Sequence, residues 1–132
     1  MILTLDVSAA MEIVLGRPKQ LELCTMLLEA DWVIAPSLFK YEASNVMWKY
    51  RSFYGIDTLV RKARQTVALV DEYIPSDSIY EEAIALACKT EHPAYDSMYL
   101  IVCRRRHATL VTLDSKLRKL ASDLEIPFAL LA

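Results

Sequence analysis

Short apolar runs without alternation recur along the chain, and stretches of helical period separate them. Ile2–Leu5 (ILTL) is such a run, closed by Asp6. A run that does not alternate suits a strand buried on both faces, as in a parallel sheet. Residues 8–15 and 19–30 carry a helical period, interrupted by Gly16 and Pro18. Trp32-Val33-Ile34-Ala35 is a second strand stopped by Pro36, and Ser37 is positioned to N-cap a helix over 38–54 that ends near Gly55. Further helices are expected from Asp57 to Leu69, from Ser78 to Thr90, from Asp96 to Arg106 and from Ser115 to Leu124. Tyr73-Ile74 is a weak strand, Ala108 to Leu113 (ATLVTL) the clearest one, and Phe128 to Leu131 a last one. Strands separated by helices imply right-handed crossovers. The expected fold is α/β, with a mainly parallel sheet between two helical layers.

Composition fits this picture and narrows it. The 132 residues are 55% hydrophobic and 24% charged, which predicts a single domain over 1–132 with a full core and excludes a disordered chain. The formal charge is −2, so the molecule is no polycation that coats nucleic acid by bulk charge. Gly16 and Gly55 are the only glycines, which excludes the Gly-rich phosphate cradles of many nucleotide-binding enzymes. Cys24, Cys88 and Cys103 form no CxxC pair, and they point to buried free thiols in a reducing cytoplasm. His92 and His107 have no partner at metal-ligand spacing. The N-terminus lacks the basic region of a signal peptide, and no apolar run approaches the ~18 residues of a membrane span. The 38–54 helix is aromatic nearly all round, with Phe39, Tyr41, Trp48, Tyr50, Phe53 and Tyr54. Either a thick core or a second subunit or partner accounts for that.

Four carboxylates fall where an open parallel sheet places its sites, outside the carboxyl ends of the strands. Asp6 ends the first strand and Asp114 the ATLVTL strand; Asp96 opens the helix before that strand, and Glu42 lies one turn into the helix after the second. Asp6, Asp96 and Asp114 each also precede a helix, where an N-cap role would explain them. Glu42 is mid-helix and has no capping duty; a surface position or a pairing with Lys49 is its ordinary explanation. If the four converge, two like charges ~4 Å apart repel by roughly 4 kcal/mol at a surface-like dielectric. Such a cluster takes up protons or binds cations, and oxygen-only ligands suit Mg²⁺ or Mn²⁺. Metal-assisted hydrolysis of a phosphodiester is the chemistry that follows.

The stretches LDVSA around Asp6, PSLFKYEASNVMWK around Glu42, YDSMYLIVCRR around Asp96 and VTLDSKL around Asp114 resemble the PIN domain, and within it the VapC-like ribonuclease toxins. They span nearly the whole chain in that family's order. The resemblance implies a three-layer α/β/α sandwich, a metal-dependent endoribonuclease, a homodimer, and neutralisation by a small antitoxin encoded alongside. Asp6, Glu42, Asp96 and Asp114 then correspond to the acidic quartet that holds Mg²⁺ or Mn²⁺, with Asp6 and Asp96 as the strongest ligands. Ser8 and Thr112 resemble the hydroxyl positions beside that quartet. Asn45, on the Glu42 face of its helix, resembles a frequent family residue; either it orients Glu42 or it is a simple polar surface contact. Val7 stands where many relatives carry Thr or Ala, and it is expected to point away from the site.

Two other function classes compete. A receiver-like phosphoacceptor needs paired acids after the first strand and a lysine after the last, and neither is present. A PIN fold without catalysis, binding only RNA or protein, is the remaining alternative, against which an intact quartet argues. Arg104-Arg105-Arg106 and the Lys116, Arg118, Lys119 group are candidate phosphate contacts, or else a solvated face that complements helix dipoles. Setting the four acids aside moves the formal charge from −2 to +2, so the near-neutral total leaves room for a nucleic-acid substrate.

Overall fold

A computed structural model describes residues 1–131, leaving Ala132 outside. Strand β1 (Ile2–Leu5) pairs in parallel with β2 (Trp32–Pro36) on one side and with β4 (Thr109–Val111) on the other. Strand β3 (Glu72–Ile74) extends the sheet beyond β2 in parallel, giving the order β3-β2-β1-β4. All four are parallel because each crossover contains helix: α1 (Val7–Val14) and α2 (Gln20–Glu29), then α3 (Leu38–Lys49) and α4 (Ile56–Val67), then α5 (Tyr80–Thr90) and α6 (Ala94–Arg106). Helix α7 (Ser115–Asp123) follows β4. The sheet is flanked by these helices, as the alternation of patterns predicts.

Leu3, Leu5, Val33, Ile34, Leu110 and Val111 are buried, which explains why the strands read as unbroken apolar runs. Helix α6 adds Leu100, Ile101 and Val102 to the main core and contacts β1, β2, β4 and α5. A second, smaller cluster of Met11, Ala43 and Met47 fastens α3 to α1. Cys103 is buried and free, as expected; Cys88 is also free but exposed.

Several expected boundaries shift: the strand expected over Ala108 to Leu113 shortens to Thr109–Val111, the helix expected from Ser78 starts at Tyr80, and that expected over Asp57 to Leu69 is Ile56–Val67. The aromatic helix stops at Lys49 and not at residue 54. Beyond it the amides of Tyr50, Arg51 and Phe53 bond to carbonyls three residues back, which tightens the chain into turns before Gly55 starts α4. Phe128 to Leu131 makes a single bridge to Leu110 and no strand. Pro127 precedes the bridge and brings no N–H, and β4 offers only three residues to pair with. Helix α6 starts at Ala94, immediately after Pro93, two residues before the expected start. Proline fixes φ and needs no donor there, which suits a helix entry.

Candidate functional site

The strand order places the sheet's switch point between β1 and β4, since the chain leaves β1 toward β2 and returns on the other side as β4. Asp6 and Asp114 stand at that point. Asp6 N-caps α1, its carboxylate accepting the Ala9 amide at 3.0 Å. Asp114 N-caps α7 by accepting from the amides of Lys116 and Leu117. The Asp6 amide donates to the Val111 carbonyl at 3.1 Å, so strand pairing carries the two acidic ends into register. Asp96 lies in the first turn of α6 and makes no cap, and Glu42 lies in the second turn of α3. The N-capping explanation thus accounts for part of what Asp6 and Asp114 do and nothing of Asp96.

These four acids come together. With Val7, Ser8, Tyr99 and Leu117 they line one cleft of about 180 Å³. The N-terminal halves of α1, α3, α6 and α7 meet here, and their partial positive charge offsets some of the repulsion. Among the described residues, Glu42 has no ion pair with Lys49. It accepts instead from the Tyr99 hydroxyl at 2.6 Å.

Asp6 is 6% exposed and is held from three sides. Ser8 Oγ donates to its Oδ1 at 2.7 Å, and Thr112 Oγ1 donates to its Oδ2. Thr112 also accepts the Asp114 amide at 3.0 Å, and Ser8 accepts the Leu113 amide at 2.9 Å. The two hydroxyls therefore tie the β1 end to the β4 end through one carboxylate. Burial pushes the Asp6 carboxyl up to about 6 despite these bonds, and Asp114 adds to the rise. Glu42 and Asp96 are also raised, chiefly by burial. Asp96 raises Glu42 further, the Tyr99 bond opposes that, and Asp114 raises Asp96 while His92 lowers it. Asp114 thus acts on Asp6 and Asp96, and Asp96 on Glu42, across the cleft.

Several expectations resolve differently. Val7 opens α1 and does not end a strand; it borders the cleft while packing against both hydrophobic clusters. Asn45 is exposed and is not part of the cleft lining. Tyr99 is a site residue that sequence reading passed over as part of an apolar helix. The available signal was its spacing: three residues after Asp96, on the same face of the helix. Two of the three adjacent arginines are committed elsewhere, Arg105 to Glu82 and Arg106 to Glu72.

Oxygen-only donors with proton affinities raised by confinement fit a hard divalent cation such as Mg²⁺ or Mn²⁺. Among the described residues, no three His, Cys, Asp or Glu side chains gather tightly enough to enclose an ion. An open set of this kind suits an ion that keeps several of its own waters.

Fold and cleft together define an α/β protein with a carboxylate centre at the switch point of a parallel sheet. Residues 3–123 match the PIN domain family, and the chain belongs to it. PIN domains are generally nucleases and usually depend on metal. The crystal structure of PAE2754 from Pyrobaculum aerophilum is similar, with a TM-score of 0.73 and 18% identity over 97% of this chain and 83% of that one. At that identity the likeness concerns the fold. No curated protein matches the chain in sequence. No helix among the described residues is long and apolar enough to cross a membrane.

Proposed function

We propose that this PIN domain is a metal-dependent endoribonuclease of the VapC-like kind, the toxin of a type II toxin–antitoxin pair. The observation that carries the reading is the cleft in which Asp6, Glu42, Asp96 and Asp114 meet from four separate segments. These four residues hold the Mg²⁺ or Mn²⁺. The bound metal supplies a water of lowered pKa and offsets charge on the phosphoryl oxygens. Ser8 and Thr112 fix the Asp6 carboxylate in one orientation, so it meets its ligand without rearranging. Tyr99 does the same for Glu42. The acidic rim repels RNA phosphates, a charge that a bound cation would offset.

A homodimer and a small antitoxin complete the proposal. Leu21 and Leu28 on α2, and Tyr80 and Ile84 on α5, are exposed apolar residues that a second copy can cover. A reading frame for a small DNA-binding protein beside the gene supports the toxin role; its absence favours a solitary nuclease.

The deciding experiment incubates the purified chain with total RNA in Mn²⁺, in Mg²⁺ and in EDTA. Cleavage appears with metal only, and Asp6→Asn and Asp96→Asn each lower it by more than roughly a hundredfold. RNA binding without any cleavage, together with absence of Mn²⁺ binding, identifies a non-catalytic module and overturns the proposal.

A further inference from the structure

The hairpin of α3, α4 and the turn between them carries a charge balance unlike the rest of the chain. Between Glu42 and Asp71 the only acid is Asp57, against Lys49, Arg51, Arg61, Lys62 and Arg64. That segment is strongly cationic within a molecule of formal charge −2. Among the described residues, none of its cations forms an ion pair. Two of them, Arg51 and Lys62, sit on aromatic rings instead. The Arg51 guanidinium lies 4.0 Å from the centre of the Trp48 ring, and the Lys62 ammonium 5.1 Å from that of Tyr54. Arg17, arriving from the end of α1, lies over Tyr50 and donates to its hydroxyl. Tyr50 in turn packs against Phe53 and Tyr54. Phe53 remains 75% exposed and Trp48 57% exposed.

We propose that this aromatic and cationic cluster is a second RNA-contact surface, which holds the substrate strand outside the acidic cleft. Cations without carboxylate partners attract phosphates, and exposed rings beside them offer stacking faces to unpaired bases. The same helix links cluster and cleft. Tyr50 follows Glu42 by eight residues, or about 12 Å of helical rise, a span of a few nucleotides. A cleft whose carboxylates repel RNA benefits from such an anchor, because binding energy gathered here does not depend on the metal. The inference rests on the endoribonuclease reading and specifies how that enzyme takes hold of its substrate.

The test measures binding of a fluorescein-labelled unstructured RNA by anisotropy in EDTA, over a range of salt, with circular dichroism to verify folding. Phe53→Ala weakens binding roughly fivefold or more at unchanged salt slope. The double variant Arg51→Ala/Lys62→Ala weakens it and makes the salt slope shallower by about one to two units. Arg105→Ala, which removes a charge paired to Glu82, leaves binding unchanged and controls for net charge. Equal affinity and slope in the wild type and both hairpin variants overturns the inference, while metal-dependent cleavage by all of them leaves the nuclease reading standing. A wild type that neither binds nor cuts RNA overturns both. A hairpin that binds an acidic peptide while its variants keep full RNA affinity assigns the surface to a protein partner and overturns the inference alone.

Discussion

Tyr99 is 3% exposed, yet its hydroxyl ends at a carboxylate in an open cleft. Its ring belongs to the core and its oxygen to the site, so its two effects separate experimentally. Tyr99→Phe keeps the ring and removes the bond, which for a charged acceptor contributes about 1.5–3 kcal/mol at most when no water replaces it. The cleft is open, so water reaches Glu42 and the expected stability loss is about 1 kcal/mol by chemical denaturation. The bond lowers the Glu42 pKa, and its loss raises that pKa further. The acid limb of the pH–rate profile therefore moves to higher pH, and kcat falls more than KM changes. A variant with reduced stability but an unshifted acid limb contradicts a positioning role. Asp6, Asp96 and Asp114 could be read from sequence because each ends a strand or begins a helix at a place the topology singles out, and Glu42 because a mid-helix acid one turn beyond β2 has no capping duty to explain it. Tyr99 could not, since a tyrosine in an apolar helix looks the same whether its hydroxyl finds water or Glu42.

Among the secondary elements, α3 carries Glu42 to the cleft and leans on α1 through a small set of contacts. Ala43, next to Glu42, is fully buried against Met11 and Met47 in the cluster that joins the two helices. Ala43→Leu adds three carbons at a fully buried position between the two helices. Overpacking of this kind costs about 1–3 kcal/mol and moves the backbone. The displaced element is α3, so Glu42 leaves the reach of Tyr99. Metal-dependent cleavage falls at least tenfold while far-ultraviolet circular dichroism stays native; retained activity in a destabilised Ala43→Leu would detach the site from this packing. Element boundaries were less legible than element types. Aromatic periodicity continues through Tyr50, Phe53 and Tyr54, but ring packing and three-residue turns close the helix earlier. The last apolar run looked like a strand, but too little of β4 was left to pair with it.

At the scale of the whole molecule, the cleft sets fold stability against function. In the folded chain Asp6 binds its proton up to about pH 6, whereas its ordinary value is 3.8. Between these values the folded state holds more protons than the unfolded state, so stability falls as pH rises through the window. Above pH 6 the full cost is present, about 3 kcal/mol for Asp6 alone, and the raised Glu42 and Asp96 add to it in the same direction. Glu72 shifts the other way through Arg106 and Trp32, but it is ionised in both states above pH 5 and drops out of the comparison. Divalent metal reverses the balance, because it binds the charged cleft of the folded chain. At a hundredfold excess over its Kd it contributes about 2.7 kcal/mol, which corresponds to a rise in Tm of several degrees. In EDTA the protein therefore melts higher at pH 5 than at pH 7.5. Mn²⁺ closes the gap by raising Tm at pH 7.5 while changing less at pH 5, where Asp6 holds its proton. Asp6→Asn keeps an N-cap at α1 and carries no charge, so it melts higher than wild type at pH 7.5 in EDTA and responds less to Mn²⁺. Differential scanning fluorimetry over the two pH values, with and without metal, checks all three shifts together. A wild type whose Tm at pH 7.5 ignores Mn²⁺, or an Asp6→Asn that melts lower in EDTA, removes the four-acid cleft as the source of the cost.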